Sequence, residues 1–269
     1  MLSTLPLAVA MLVAAAPAAA APAVPVPGER ASALRGEAME LLALDDEAGL
    51  ARAAALLEEA ERVDPALWQA RADRALVELL DAAAHRDEAT RLADGAALMQ
   101  GGRDLRERAL DRLRPLARAH PDDAAVVRAL AVYAGLDGNH ADAARLVARA
   151  RAAGTADAWI DFAEVAARAG AAGRAGSAPV LEAFVASHPR LGRPRMMLAR
   201  TLFDLGHTEA ALAALDELLL LSPEHARAKR LKADILSPPA GQVVFQPAPD
   251  DAPPTRPLGL LPRKPKDGR

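Results

Sequence analysis

Cysteine is absent from the 269-residue chain, which excludes disulfides, thiolate zinc sites, iron–sulfur clusters, thiol nucleophiles and lipidation at cysteine. Aromatic residues are scarce, at 3%. Ala, Leu, Arg and Glu far outnumber Val, Ile, Tyr and Thr, so helix propensity dominates and strand formers are few. An excess of one charge is missing too: 33 Lys and Arg stand against 36 Asp and Glu, a net charge of −3. That balance gives no electrostatic case for nucleic acid as a partner.

The motifs of chemistry are equally thin. The chain contains no H-E-x-x-H, P-loop, G-x-S-x-G or G-x-G-x-x-G; Gly170, Gly173 and Gly176 have the wrong spacing and follow a helical pattern. Of the six histidines, His120 and His188 precede prolines, His140 and His207 fall in inter-helix turns, and His85 and His225 are isolated on helices. No metal triad is expected from such scatter. The stretch Asp137 to Asp142 lacks the acidic ladder and closing Glu of a calcium loop. The expectation is a protein without catalytic, cofactor-binding or metal-binding residues, and without a cofactor.

The two ends differ from the middle. Met1 to Pro27 carries no charged side chain, and an apolar run from Leu5 passes into Ala14 to Ala21 with small residues spaced as at a cleavage site. Residues 1–21 therefore read as a secretory signal peptide and 22–28 as a Pro-rich mature start, with an N-terminal membrane anchor as the alternative. Pro6 and Pro17 interrupt the run, which argues against a stable spanning helix. No integral span is expected after cleavage, and the location read from the leader is periplasmic or cell envelope. From Ser237 onward nine prolines rule out helix, so 237–269 reads as a disordered, mildly basic tail.

Between Glu29 and Leu236 apolar residues recur at three- and four-residue spacing in runs separated by short Gly, Asp, Asn or Pro breaks, the pattern of antiparallel helical hairpins. His120-Pro121, His188-Pro189 and Ser222-Pro223 look like breaks at helix starts, and their spacings of 68 and 34 residues set a 34-residue period. The unit from Gly192 places Leu198, Ala199, Leu202, Gly206, Ala211, Leu215 and Leu218 in register, and the unit from Ala124 repeats the pattern with Leu130, Ala131, Ala134, Ala143, Val147 and Ala150. On these residues the chain resembles the tetratricopeptide repeat family, in degenerate form. The loop from Gly170 to Gly176 looks about two residues longer than the pattern. The interval from Pro65 to Pro121 holds 22 residues more than one period, room for either an extra helix or an unusually long one.

The resemblance implies an all-α fold: antiparallel hairpins over 29–236, stacked as a right-handed solenoid between disordered termini, with small residues such as Ala199 and Ala211 where helices approach closely. The last helix, with Lys229, Arg230 and Lys232, looks like a polar solvating cap. The family's groove positions fall on Arg128, Asp157, Ile160, Glu164, Arg193, Met196, Arg200 and Phe203, a mixed surface suited to a peptide or a partner helix. The function so implied is a non-catalytic protein-binding scaffold of the cell envelope. Two other readings stand beside it: self-association through the open solenoid end or the tail, and an accessory subunit or unrecognised hydrolase of an envelope enzyme complex.

Overall fold

The structure is a computed structural model, and it describes residues 27–92 and 94–237. The leader and tail readings fall outside these residues, except that Pro27 and Gly28 open the first helix and Ser237 caps the last. The described residues form eleven helices and no strand. Ten pair into five hairpins: α1 (Pro27–Leu44) with α2 (Glu47–Val63), α3 (Trp68–Ala89) with α4 (Ala96–Ala119), α5 (Ala124–Leu136) with α6 (His140–Ala152), α7 (Ala158–Ala171) with α8 (Gly173–Ser187), and α9 (Gly192–Asp204) with α10 (Thr208–Leu221). The eleventh, α11 (Ala226–Leu236), stands without a hairpin partner.

Local chemistry sets the boundaries. The x-Pro pairs lie just after helices rather than at their starts: Asp64, His120, His188 and Ser222 are the C-caps of α2, α4, α8 and α10. Proline disfavours helical backbone at the residue before it, which ends each helix there. The next helix begins three residues beyond each proline, at Trp68, Ala124, Gly192 and Ala226. Two of these histidines also stack on an aromatic ring, His120 on Trp68 at 4.0 Å and His188 on Phe184 at 4.3 Å. At helix starts Asp46, Asp123 and Asp157 accept backbone N–H groups, the usual N-cap contact.

The interval between Pro65 and Pro121 holds no extra helix. It is filled by longer helices: α3 and α4 run 22 and 24 residues, against 13 each for α5 and α6. At 1.5 Å per residue the long hairpin overhangs its neighbour by roughly 13 Å. The long loop expected over Gly170 to Gly176 is absent as well, since α7 continues to Ala171 and α8 starts at Gly173, whose φ of +67° supplies the bend.

The core is a single cluster, and alanine is its commonest residue. Ala199 and Ala211 are fully buried, as the close-contact reading expects. Tighter still is the contact of α5 with α7, where a Cβ on Gly135 would stand 2.9 Å from the Ala163 carbonyl oxygen. Small residues thus let backbones approach closer than larger side chains permit.

Stacking does not leave the solenoid open. The N-terminus of α9 meets the end of α1 so closely that a Cβ on Gly192 would collide with the Leu44 carbonyl oxygen. Ser222 donates to Asp46 at 3.0 Å, and Arg230 reaches Glu47 at 2.8 Å and Glu88 at 2.7 Å. The last hairpin and α11 therefore close against α1, α2 and α3, and the hairpins complete one turn.

Candidate functional site

The residues that close the turn also build a cleft. Asp45, in the α1–α2 turn, has φ +57°, a left-handed conformation that aspartate tolerates better than most residues. Its buried carboxylate receives Arg193 from the first turn of α9, with Nε 2.8 Å from Oδ2 and Nη2 2.9 Å from Oδ1. The same guanidinium donates to the Leu80 carbonyl of α3. Two turns along α9, Arg200 donates to the Asp87 carbonyl at 2.7 Å and to Thr90 Oγ1 at 2.8 Å, satisfying groups at the C-terminal end of α3. From α11, Arg227 pairs with Asp81, and Arg91 pairs with Asp234.

Between these bridges lies a cleft of about 220 Å³ lined by α3, α9 and α11, with Met196, Met197 and Leu231 among its apolar walls. Five arginines line it, Arg91, Arg193, Arg200, Arg227 and Arg230, against four carboxylates, Asp45, Asp87, Glu88 and Asp204. Crowding among the cations is visible at Arg91, whose guanidinium is held below its ordinary range by burial and by the nearby Arg200 and Arg230. Burial lifts the Glu47 carboxyl, but its own helix N-terminal backbone N–H, together with Arg227 and Arg230, brings it below the ordinary value.

Beneath the cleft, His225 is fully buried at the N-cap of α11, where Nδ1 accepts the Ala228 N–H at 3.4 Å. Its Nε2 has no hydrogen-bond partner. Burial lowers its pKa from 6.5, against the opposing pull of Asp45, Glu47 and Asp46. The sequence placed His225 on a helix with no neighbours of note; three acidic residues of the α1–α2 turn in fact surround it.

The eight expected groove residues separate into two groups. Arg193, Met196 and Arg200 come together in the cleft, and Phe203 lies one turn further along α9, 37% exposed. Arg128, Asp157, Ile160 and Glu164 lie away from it. Arg128 is 6% exposed and bridges Asp73 and Asp157, while Arg35 donates to the other oxygen of Asp73 at 2.6 Å. This chain of alternating charges links α1, α3, α5 and the start of α7. Ile160 is in the core, and Glu164 pairs with Arg151 across the α6–α7 surface. The expectation of a free groove is therefore corrected for Arg128, Ile160 and Arg193, which are buried and engaged within the chain.

The reading of α11 as a solvating cap is corrected in part. Lys229 and Lys232 do face outward, on Glu224 and Asp216, but Arg227 is buried and Arg230 is tied to Glu47 and Glu88. No periodicity in the sequence marks Asp45, Arg91 or Arg227 as cleft residues, because their neighbours lie about 140 residues away in the chain.

Among the described residues no three His, Asp or Glu side chains are grouped to hold a metal ion, and no helix is long and apolar enough to cross a membrane. Stacked hairpins with small residues at their contacts define a helical-repeat protein, a class whose members generally work by binding other proteins. A family model described as tetratricopeptide repeat matches residues 166–235, from the second half of α7 through α11. The match supports tetratricopeptide repeats over these residues. No curated protein and no solved structure matches the chain.

Proposed function

We propose that this protein is a non-catalytic scaffold that binds a partner protein in the cleft between α3, α9 and α11. The observation that carries this reading is the cleft itself, about 220 Å³ with an apolar methionine floor and five arginines on its walls. Methionine side chains adapt to differently shaped apolar anchors. Crowded guanidiniums favour a carboxylate, and charge-assisted hydrogen bonds are the strong ones. A peptide segment with one apolar anchor flanked by Asp or Glu answers both features. Of the expected groove residues, Met196 and Arg200 then touch the partner, Phe203 borders it, and Arg193 holds the walls together.

The site of action is the cell envelope, a reading supported by the uncharged apolar leader from Met1 to Ala21. Fractionation of the native host with mass analysis of the mature chain tests this: loss of about 20 residues in an envelope fraction is expected, and an intact Met1 in a cytoplasmic pool refutes it. For the cleft, a photo-crosslinking side chain at Phe203 or Met197 in the native host should trap a discrete partner, while one at Ala213 on the outer face of α10 should not. Equal capture at both places would locate binding elsewhere.

Self-association has one specific observation in its favour. Leu220 and Leu221, the last two residues of α10, are 81% and 39% exposed, an adjoining pair of large apolar side chains left in water. Light scattering separates the readings: a dimer that Leu220→Glu makes monomeric supports assembly through this end.

A further inference from the structure

The overhang of the α3–α4 hairpin past α5 leaves a second concavity, a notch of about 70 Å³ on the face of α3 opposite the cleft. Its floor is apolar, formed by Leu79, Ala82, Ala83, Met99 and Leu136, with Tyr133 8% exposed at its side. Its rim carries Arg86, Arg103 and Arg106 with a single lining carboxylate, Asp137. Arg86 and Arg106 share Asp137 at 3.9 and 3.6 Å, Arg86 also has Asp87 at 3.6 Å, and Arg103 donates only to the uncharged Gln100 amide. The notch, with three arginines to one lining carboxylate, therefore keeps a larger excess of positive charge than the cleft.

The chain contains a segment with the complementary chemistry. Residues 243–251 read Val-Val-Phe-Gln-Pro-Ala-Pro-Asp-Asp, three large apolar side chains followed by two carboxylates, with no cation. They lie outside the described residues. Their point of departure is close to the notch, because α11 ends at Leu236 and its Asp234 is paired with Arg91, five residues past the rim residue Arg86. Seven residues from Leu236 to Val243 span up to about 23 Å. The path round the hairpin tip is shorter: about 7.5 Å along the helix plus a helix diameter of about 10 Å.

We infer that the notch is a docking site for the chain's own segment Val243–Asp251, one apolar side chain entering between Tyr133 and Met99 and Asp250 with Asp251 meeting Arg103 and Arg106. Tethering raises the local concentration of such a segment to about the millimolar range, so docking in cis requires only weak intrinsic affinity. The inference is independent of partner binding in the cleft, and its test reads different atoms.

The full chain has one tyrosine, and its methionines separate the two concavities, Met99 in the notch and Met196 and Met197 in the cleft. Protein carrying ring-13C tyrosine and methyl-13C methionine is compared with the triple variant Phe245→Ala, Asp250→Asn, Asp251→Asn and with the tail control Arg263→Ala, Lys264→Ala. The Tyr133 and Met99 signals should move in the triple variant and stay in the control. A synthetic peptide of residues 241–252 added to the triple variant should return them toward their original positions. Signals unmoved by the triple variant overturn the inference. Movement confined to Met196 and Met197 overturns it in favour of the cleft. A Tyr133 position that depends on protein concentration also overturns it, because the segment would then come from a second copy.

Discussion

Arg193 and Asp45 face each other across 148 residues of sequence, and their buried ion pair joins the first hairpin to the last. Each is almost wholly removed from water, so each depends on the other to offset its desolvation. The pair converts an open stack of hairpins into one whose ends touch.

Arg193→Ala should cost about 3 to 5 kcal/mol in urea unfolding, because it strands the Asp45 carboxylate in the interior. Arg200→Ala removes hydrogen bonds to a carbonyl and a hydroxyl at a more exposed site, and should cost about 1 kcal/mol. If partner binding uses the cleft, Arg200→Ala weakens it at least about tenfold with the fold intact. Equal stabilities for the two variants would show that the ends do not meet as described.

Two glycine substitutions should have opposite signs. Gly36 is exposed within α1 with open space where a Cβ would go, so Gly36→Ala should stabilise by about 0.5 to 1 kcal/mol through helix propensity. Gly192→Ala drives a methyl into the Leu44 carbonyl and should lower the melting temperature, with a cost of about 1 to 3 kcal/mol typical of overpacking. A neutral Gly192→Ala would mean that α9 stands off from α1.

Asp73 is the centre of the internal charge chain, fully buried between Arg35 and Arg128. Asp73→Ala leaves Arg128 with only Asp157 and should destabilise by about 3 to 5 kcal/mol. Combining it with Arg128→Met should recover much of that loss, since the uncompensated charge is gone, and a double-mutant cycle would read the coupling directly.

Acidification should loosen the closure through His225. Its folded pKa lies below the unfolded value of about 6.5, so as pH falls past that value the unfolded chain takes the proton first and stability declines. The slope is at most about 1.4 kcal/mol per pH unit for one proton. Asp45 pulls the other way in acid, since burial raises its carboxyl against Arg193 and Arg227. His225→Asn keeps an N-cap acceptor while removing the titration. Comparing unfolding at pH 7.5 and 5.5, the wild type should lose stability that the Asn variant keeps, and parallel losses in both would assign the effect to other groups.

Hairpin repeats are legible in the sequence because their cause is local. Helix propensity in an alanine- and leucine-rich chain, proline three residues ahead of α3, α5, α9 and α11, and small residues at a 34-residue period act over one or two hairpins, and Ala199 and Ala211 lie in the core as their register demands. The interval from Pro65 to Pro121 is ambiguous in the sequence for a related reason: continuous apolar periodicity fits one long hairpin and an extra helix equally well, and only packing of α3 on α4 selects the former. The groove positions carry over from an open stack, in which arginines such as Arg128 and Arg193 face solvent, whereas here both are buried. Curvature accumulates over five hairpins, and a few degrees per contact decide whether the ends meet. No residue or spacing encodes that sum, and so the pairings Arg193 with Asp45, Arg230 with Glu88 and Arg91 with Asp234, and the cleft they frame, were settled by tertiary structure alone.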